Sequence, residues 1–162
     1  VKECNEALNI INKDYKKYNY LVDVEEEVLN EFKNTLKEKV FNRALFVVQE
    51  NKRTLDSANK ISESKLKDFG KLMYKSHFGL KNLYEVSCKE LDFLVDFTID
   101  YKEIIGSRMM GGGFGGCTIN LIKEDFVEDF IKLVSKAYSN KFNIKLDAIH
   151  VNIDSGVTVK NN

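Results

Sequence analysis

Ser107-Arg108-Met109-Met110-Gly111-Gly112-Gly113-Phe114-Gly115-Gly116-Cys117 holds five of the nine glycines in this 162-residue chain. Side-chain packing gives no reason for that density, whereas backbone geometry does. Glycine reaches positive φ freely and lets another group come close to the main chain. Extended-looking runs lie on either side, Ile104 to Met110 before and Cys117 to Ile122 after. The loop is therefore expected to join two strands and to expose amides that can face an anion. The spacing is neither the dinucleotide fingerprint nor the P-loop, and no Lys-Ser/Thr pair follows the glycines. On the residues alone, a bulged hairpin and an anion-facing loop both remain open. Phe114, a lone aromatic between glycine pairs, suggests a loop pinned by one anchor.

Upstream of the loop the pattern is helical. Cys4, Ala7, Leu8, Ile11, Tyr15 and Tyr18 recur on one face of a helix from about Lys2 to Tyr18. Asp23 and Glu26 resemble a capping box opening a second stripe of Val24, Val28, Leu29, Phe32 and Leu36. Ala44 to Val48 is apolar throughout, and Val40, Phe41, Leu55, Ala58 and Ile61 around it favour one long helix. Arg43, Glu50 and Arg53 fall on its polar side and read as surface charge. Ser62 is a plausible cap for a helix carrying Leu66, Phe69, Gly70, Met73 and His77, with Gly70 implying close helix packing. His77 has no carboxylate at helical spacing and reads as a hydrogen-bonded structural histidine more than as a general base. Ser87 and Glu90 form a second capping box, opening a helix with Leu91, Leu94, Val95 and Tyr101 inward and Asp92 and Asp96 on a solvated face.

Downstream, Cys117, Ile119 and Leu121 give a strand one apolar face, and Phe126, Val127, Phe130, Ile131, Val134 and Tyr138 make a further helix. Asp147 to Ile153 alternates as a strand, Asp154-Ser155-Gly156 reads as a turn, and Val157 to Lys160 as a last strand. Helices come first and strands late. The expected class is α+β: a small antiparallel sheet of about four strands, helices packed on one face, and an N-terminal helical layer, all in one domain over residues 1–162.

Bulk properties narrow the function. A chain of this length buries about 70% of the surface its unfolded form exposes. Formal net charge is zero with both signs interspersed, which gives no footprint for nucleic acid or for a membrane surface. No apolar run approaches a bilayer span, and a cytoplasmic location is the expectation. Cys4, Cys88 and Cys117 are an odd set without Cys-x-x-Cys spacing, so reduced, mostly buried thiols are expected. The start at Val1, inside an apolar stripe, suggests a fragment.

Arg108 to Cys117 resembles the third signature of the GHMP small-molecule kinases, in the form seen in galactokinases, Arg-Met-Thr-Gly-Gly-Gly-Phe-Gly-Gly-Cys. Met110 stands where the family has threonine, so a hydroxyl is lost. Tyr84-Glu85-Val86-Ser87-Cys88-Lys89-Glu90-Leu91-Asp92 is similar to the family's Tyr-Glu-Val-Ser-Cys-Pro-Glu-Leu-Asp run, with Lys89 replacing the proline. Phe69 to Met73 with Ser76-His77, Glu50 to Thr54, and Glu3-Cys4 resemble further segments in the same order. Lys81-Asn82 stands where an Arg-Asp pair is usual.

The resemblance implies a kinase that transfers the γ-phosphoryl group of ATP, with Mg²⁺, to the anomeric hydroxyl of galactose in a cleft between two domains. Related sugars such as arabinose or N-acetylgalactosamine, or a non-catalytic sugar sensor, are the alternatives. An unrelated interaction module with a glycine-rich hairpin is a third reading. The resemblance also implies that the catalytic residues, the phosphate loop and the metal ligands lie in an N-terminal domain absent from this chain. Arg108, Gly111, Gly112, Gly113, Phe114, Gly115 and Gly116 would then support that phosphate loop. The implied partners are the N-terminal domain of the same protein and a small sugar.

Overall fold

The computed structural model describes residues 1–151. Its first half is a helical layer built on the expected stripes. Helix α1 (Lys2–Asp14) and helix α2 (Glu26–Glu31) pack on the 25-residue α3 (Glu38–Ser62), a spine about 37 Å long at 1.5 Å per residue. Ile11, Leu29, Phe32, Val40, Phe41 and Ala44 form the core between them.

Helix α1 ends before Tyr18, because Lys16 takes φ 53° and turns the chain. Tyr18 still reaches the core, held by the Asn12 side chain, which bonds both its N–H and its carbonyl. The expected Asp23–Glu26 box does not form. Asp23 instead accepts the Tyr20 N–H and closes a 3₁₀ turn over Leu21–Asp23, leaving α2 to start after Glu25.

The long helix read from Val40 to Ile61 is α3, and Ser62 ends it rather than capping its successor. The Ser62 hydroxyl donates back to the Asn59 carbonyl, Ser64 turns at φ 56°, and α4 runs Leu66–Gly79. A π-helical turn, Leu80–Tyr84, follows, and then α5 (Lys89–Asp96). The Ser87–Glu90 box is also absent, because Ser87 donates to Asp92 at 2.6 Å. Leu91, Leu94 and Val95 are buried as expected.

Strands β1 (Ile104–Met110) and β2 (Cys117–Ile122) pair antiparallel, from Met110 opposite Cys117 to Ile104 opposite Ile122, with a bulge at Ile105. Helix α6 (Val127–Phe142) closes a second core in which Leu94, Ile104, Phe130, Val134 and Tyr138 are buried among Phe93, Phe97, Tyr101, Phe126 and Phe142. Helix α4 joins the layers by packing on both α3 and β1.

The sheet has two strands among the described residues, not about four. Residues 147–151 form no ladder with any strand among the described residues, and Ile149 and Val151 are exposed there, since a strand exists only where a neighbouring edge takes its hydrogen bonds. Ile153, the turn Asp154-Ser155-Gly156 and the strand Val157 to Lys160 lie outside the described residues. The apolar face of β2 is also less covered than expected. Cys117 and Ile119 are exposed, and Leu121 is only half-buried.

Candidate functional site

The glycine loop connects β1 to β2 as expected, and the structure shows what shapes each part of it. At its entry the Met109 N–H donates to Nδ1 of His77 on α4, at 3.3 Å. At its centre the Phe114 N–H donates to the Val86 carbonyl, at 2.8 Å. Between them Gly113 takes φ 87°, and a Cβ there would lie 2.1 Å from the same Val86 oxygen. No other residue fits that position. Among the described residues nothing lies within 4 Å of a would-be Cβ on Gly111, Gly112 or Gly115, so the loop is pressed onto the Val86 segment on one side and open to the described chain on the other.

Phe114 pins the loop through its amide rather than its ring. It sits at φ 59°, and its side chain is 77% exposed. The expected aromatic anchor is therefore an exposed apolar group, and Met110 and Ile119 on the flanking strands are exposed as well.

Arg108 leaves β1 on the other side. Its Nε donates to the Met109 carbonyl at 3.0 Å, and its guanidinium lies 3.5 Å from Glu50 on α3. Glu50 also accepts from Arg53 and from the Ser76 hydroxyl. Glu50 and Arg53, read as surface charge, are thus mostly buried members of a network joining α3, α4 and β1. They line a groove of about 360 Å³ with Arg108, Phe69, Ile119 and Leu121.

Behind the loop, Asp92 departs most from its expected solvated role. It accepts from Ser87, pairs with Lys81 at 3.2 Å, and lies 3.5 Å from His77 Nε2, too poorly aligned for a hydrogen bond. His77 is fully buried and hydrogen-bonded, as read, but the carboxylate beside it comes from α5, which helical spacing within α4 could not show. Burial pushes its imidazole below the usual value of 6.5, opposed first by Asp92 and reinforced by Lys81.

Val86 had no sequence signal as the loop's seat. The nearest clue is Glu85, which takes φ 60° at the end of the π turn, where Lys39 (3.3 Å) and Arg43 (3.5 Å) from α3 hold its carboxylate.

The three cysteines are free, but none is fully buried: Cys4 and Cys88 are half-buried and Cys117 is exposed. Among the described residues no group of three or more His, Cys, Asp or Glu is placed to hold a metal ion. These residues do not fit as a Mg²⁺ cage. The open side of the loop fits a close approach by a phosphate or by another stretch of backbone. No helix among the described residues is long and apolar enough to cross a membrane.

The family profile described as GHMP kinases C terminal matches residues 57–140. Galactokinase of Clostridium acetobutylicum is 41% identical over 155 residues, covering 95% of this chain and 40% of the relative. Galactokinase of Clostridium tetani is 44% identical over 138 residues, covering 85% and 35%. The chain thus spans about 40% of the length of curated relatives it matches. The crystal structure of Lactococcus lactis galactokinase complexed with galactose superposes with a TM-score of 0.83 at 32% identity, covering 89% of this chain and 37% of that one.

Proposed function

Because the chain belongs to the GHMP kinase family, whose C-terminal region it matches, we propose that it is the C-terminal domain of an ATP-dependent galactokinase that phosphorylates the anomeric hydroxyl of galactose. Residues 1–162 act as one domain, and an upstream half of the same protein holds the sugar, the phosphate loop and the metal. ATP supplies the phosphoryl group there and Mg²⁺ offsets its charge.

This chain's part is positional. Phosphoryl transfer depends mainly on orientation and charge placement, so a wall that fixes the phosphate-holding element contributes directly to rate. Gly111, Gly112, Gly113, Gly115 and Gly116 let that element approach the main chain. Phe114 supplies an apolar contact to it, and Arg108, anchored by Glu50, holds the end of β1. The supporting observation is the two-sided loop, seated on Val86 through Gly113 and open at Gly111, Gly112 and Gly115. A cytoplasmic location accompanies this reading.

The test is coupled-enzyme turnover of the full-length protein on a panel of sugars. Phosphorylation of galactose at its anomeric position is expected, and no turnover on galactose overturns the assignment. The chain alone is expected to transfer no phosphate and to bind ATP only weakly. Calorimetry that found micromolar affinity for the chain alone would contradict a supporting role.

A further inference from the structure

We propose that His77 is a positioning residue for the glycine loop: in its neutral form it holds the Met109 N–H and so sets where β1 ends and the loop begins, and protonation releases that hold. The inference rests on the reading that this loop abuts the nucleotide-holding element. The Met109 amide donates to Nδ1, so Nδ1 carries the lone pair and the ring proton sits on Nε2, toward Asp92. His77 is fully buried, so its ring has no water to exchange this bond for.

Adding a proton at Nδ1 would set two N–H donors against each other, two residues before Gly111. The charged groups around the ring come from three elements. Lys81 lies on the π turn, Asp92 and Asp96 on α5, and Arg108 on β1. Two carboxylates favour the charged ring, two cations disfavour it, and burial decides for the neutral form. The ring is thus held neutral, with Nε2 3.5 Å from a carboxylate that influences its charge without hydrogen-bonding it. This arrangement links the loop's position to pH and to Asp92.

The test uses the full-length protein, with two independent readouts. Histidine nitrogen signals should show Nδ1 unprotonated and Nε2 protonated at neutral pH; the opposite tautomer overturns the proposal. Hydrogen exchange should show the amides from Met109 to Gly116 losing about tenfold protection in His77→Phe, against unchanged α3 and α6 amides. In His77→Asn, Oδ1 can take the place of Nδ1, so protection should return at least in part and lose its pH dependence.

Asp92→Asn removes a charge that favours protonation, so the acid loss of loop protection should move to lower pH. That variant and the wild-type pH profile decide the matter if His77→Phe does not fold. Unchanged loop exchange in Asp92→Asn and in whichever His77 variants fold, across the acid range, overturns the proposal. Turnover separates the two readings. An active kinase should lose kcat in His77→Phe with its sugar KM little changed, whereas wild-type protein inactive on galactose defeats the kinase assignment and leaves the exchange result to judge His77.

Discussion

Gly70 and Gly106 lie where α4 crosses the bulged end of β1, and neither has room for a side chain. A Cβ on Gly70 would lie 1.8 Å from the Ile105 carbonyl, and one on Gly106 would lie 2.5 Å from Gly70 Cα. Both obstacles are backbone, which cannot turn aside as a long side chain can. Gly70→Ala or Gly106→Ala is therefore expected to cost about 3 kcal/mol or more, at the upper end of overpacking effects. Gly112→Ala meets nothing within 4 Å among the described residues and lacks a left-handed φ, so it should stay within about 0.5 kcal/mol of wild type. Denaturant titration of the three variants measures the contrast; equal costs would mean that α4 and β1 are not in this close contact. The sequence marked Gly70 as a close-packing position but pointed to a helix, because one-dimensional spacing names no partner.

At the scale of elements, the β1–β2 hairpin is governed by how its loop is seated. Gly113 combines a left-handed backbone with the Val86 carbonyl directly behind it. Alanine there costs about 1–2 kcal/mol for the backbone conformation alone and must also push the loop off its seat. In the full-length protein Gly113→Ala is expected to lower kcat about tenfold or more, since small displacements at a positioning element are costly. Sugar KM should change little if the loop abuts the phosphate-holding element as proposed. Steady-state kinetics with sugar and ATP varied separately check this, and an unchanged kcat would remove the loop from the machinery. The strands and their junction were legible from Ile104 to Ile122, because alternation and a glycine run are local signals. That Phe114 holds by its amide while its ring faces outward was not, since burial depends on what lies opposite.

Across the whole molecule, α4 carries His77 between the N-terminal helical core and the aromatic core under α6, so its charge bears on the joint between layers. Its folded value lies below the ordinary 6.5 because burial disfavours the imidazolium. The neutral ring's contribution to stability is thus fully present above about pH 6.5 and lost as pH falls through the lowered folded value. Thermal melts of the full-length protein should show a decline in this window that His77→Asn flattens. An identical acid profile in that variant would assign the decline to other groups.

Helix periodicity, the late position of the strands, the glycine loop and the family resemblance were all carried by local order along the chain. For that reason α3, α6, β1 and β2 fall where the residues indicate, whereas α5 stops at Asp96, short of the half-buried Tyr101 expected on its inner face. Capping was decided otherwise, because Asp23, Ser62 and Ser87 each found a nearer or better-placed partner than the helix start assigned to them. Only tertiary structure brought Asp92 to His77, Glu50 to Arg108 and Val86 beneath Gly113. Those contacts join residues far apart in the chain, and no spacing rule within a single helix or strand encodes them.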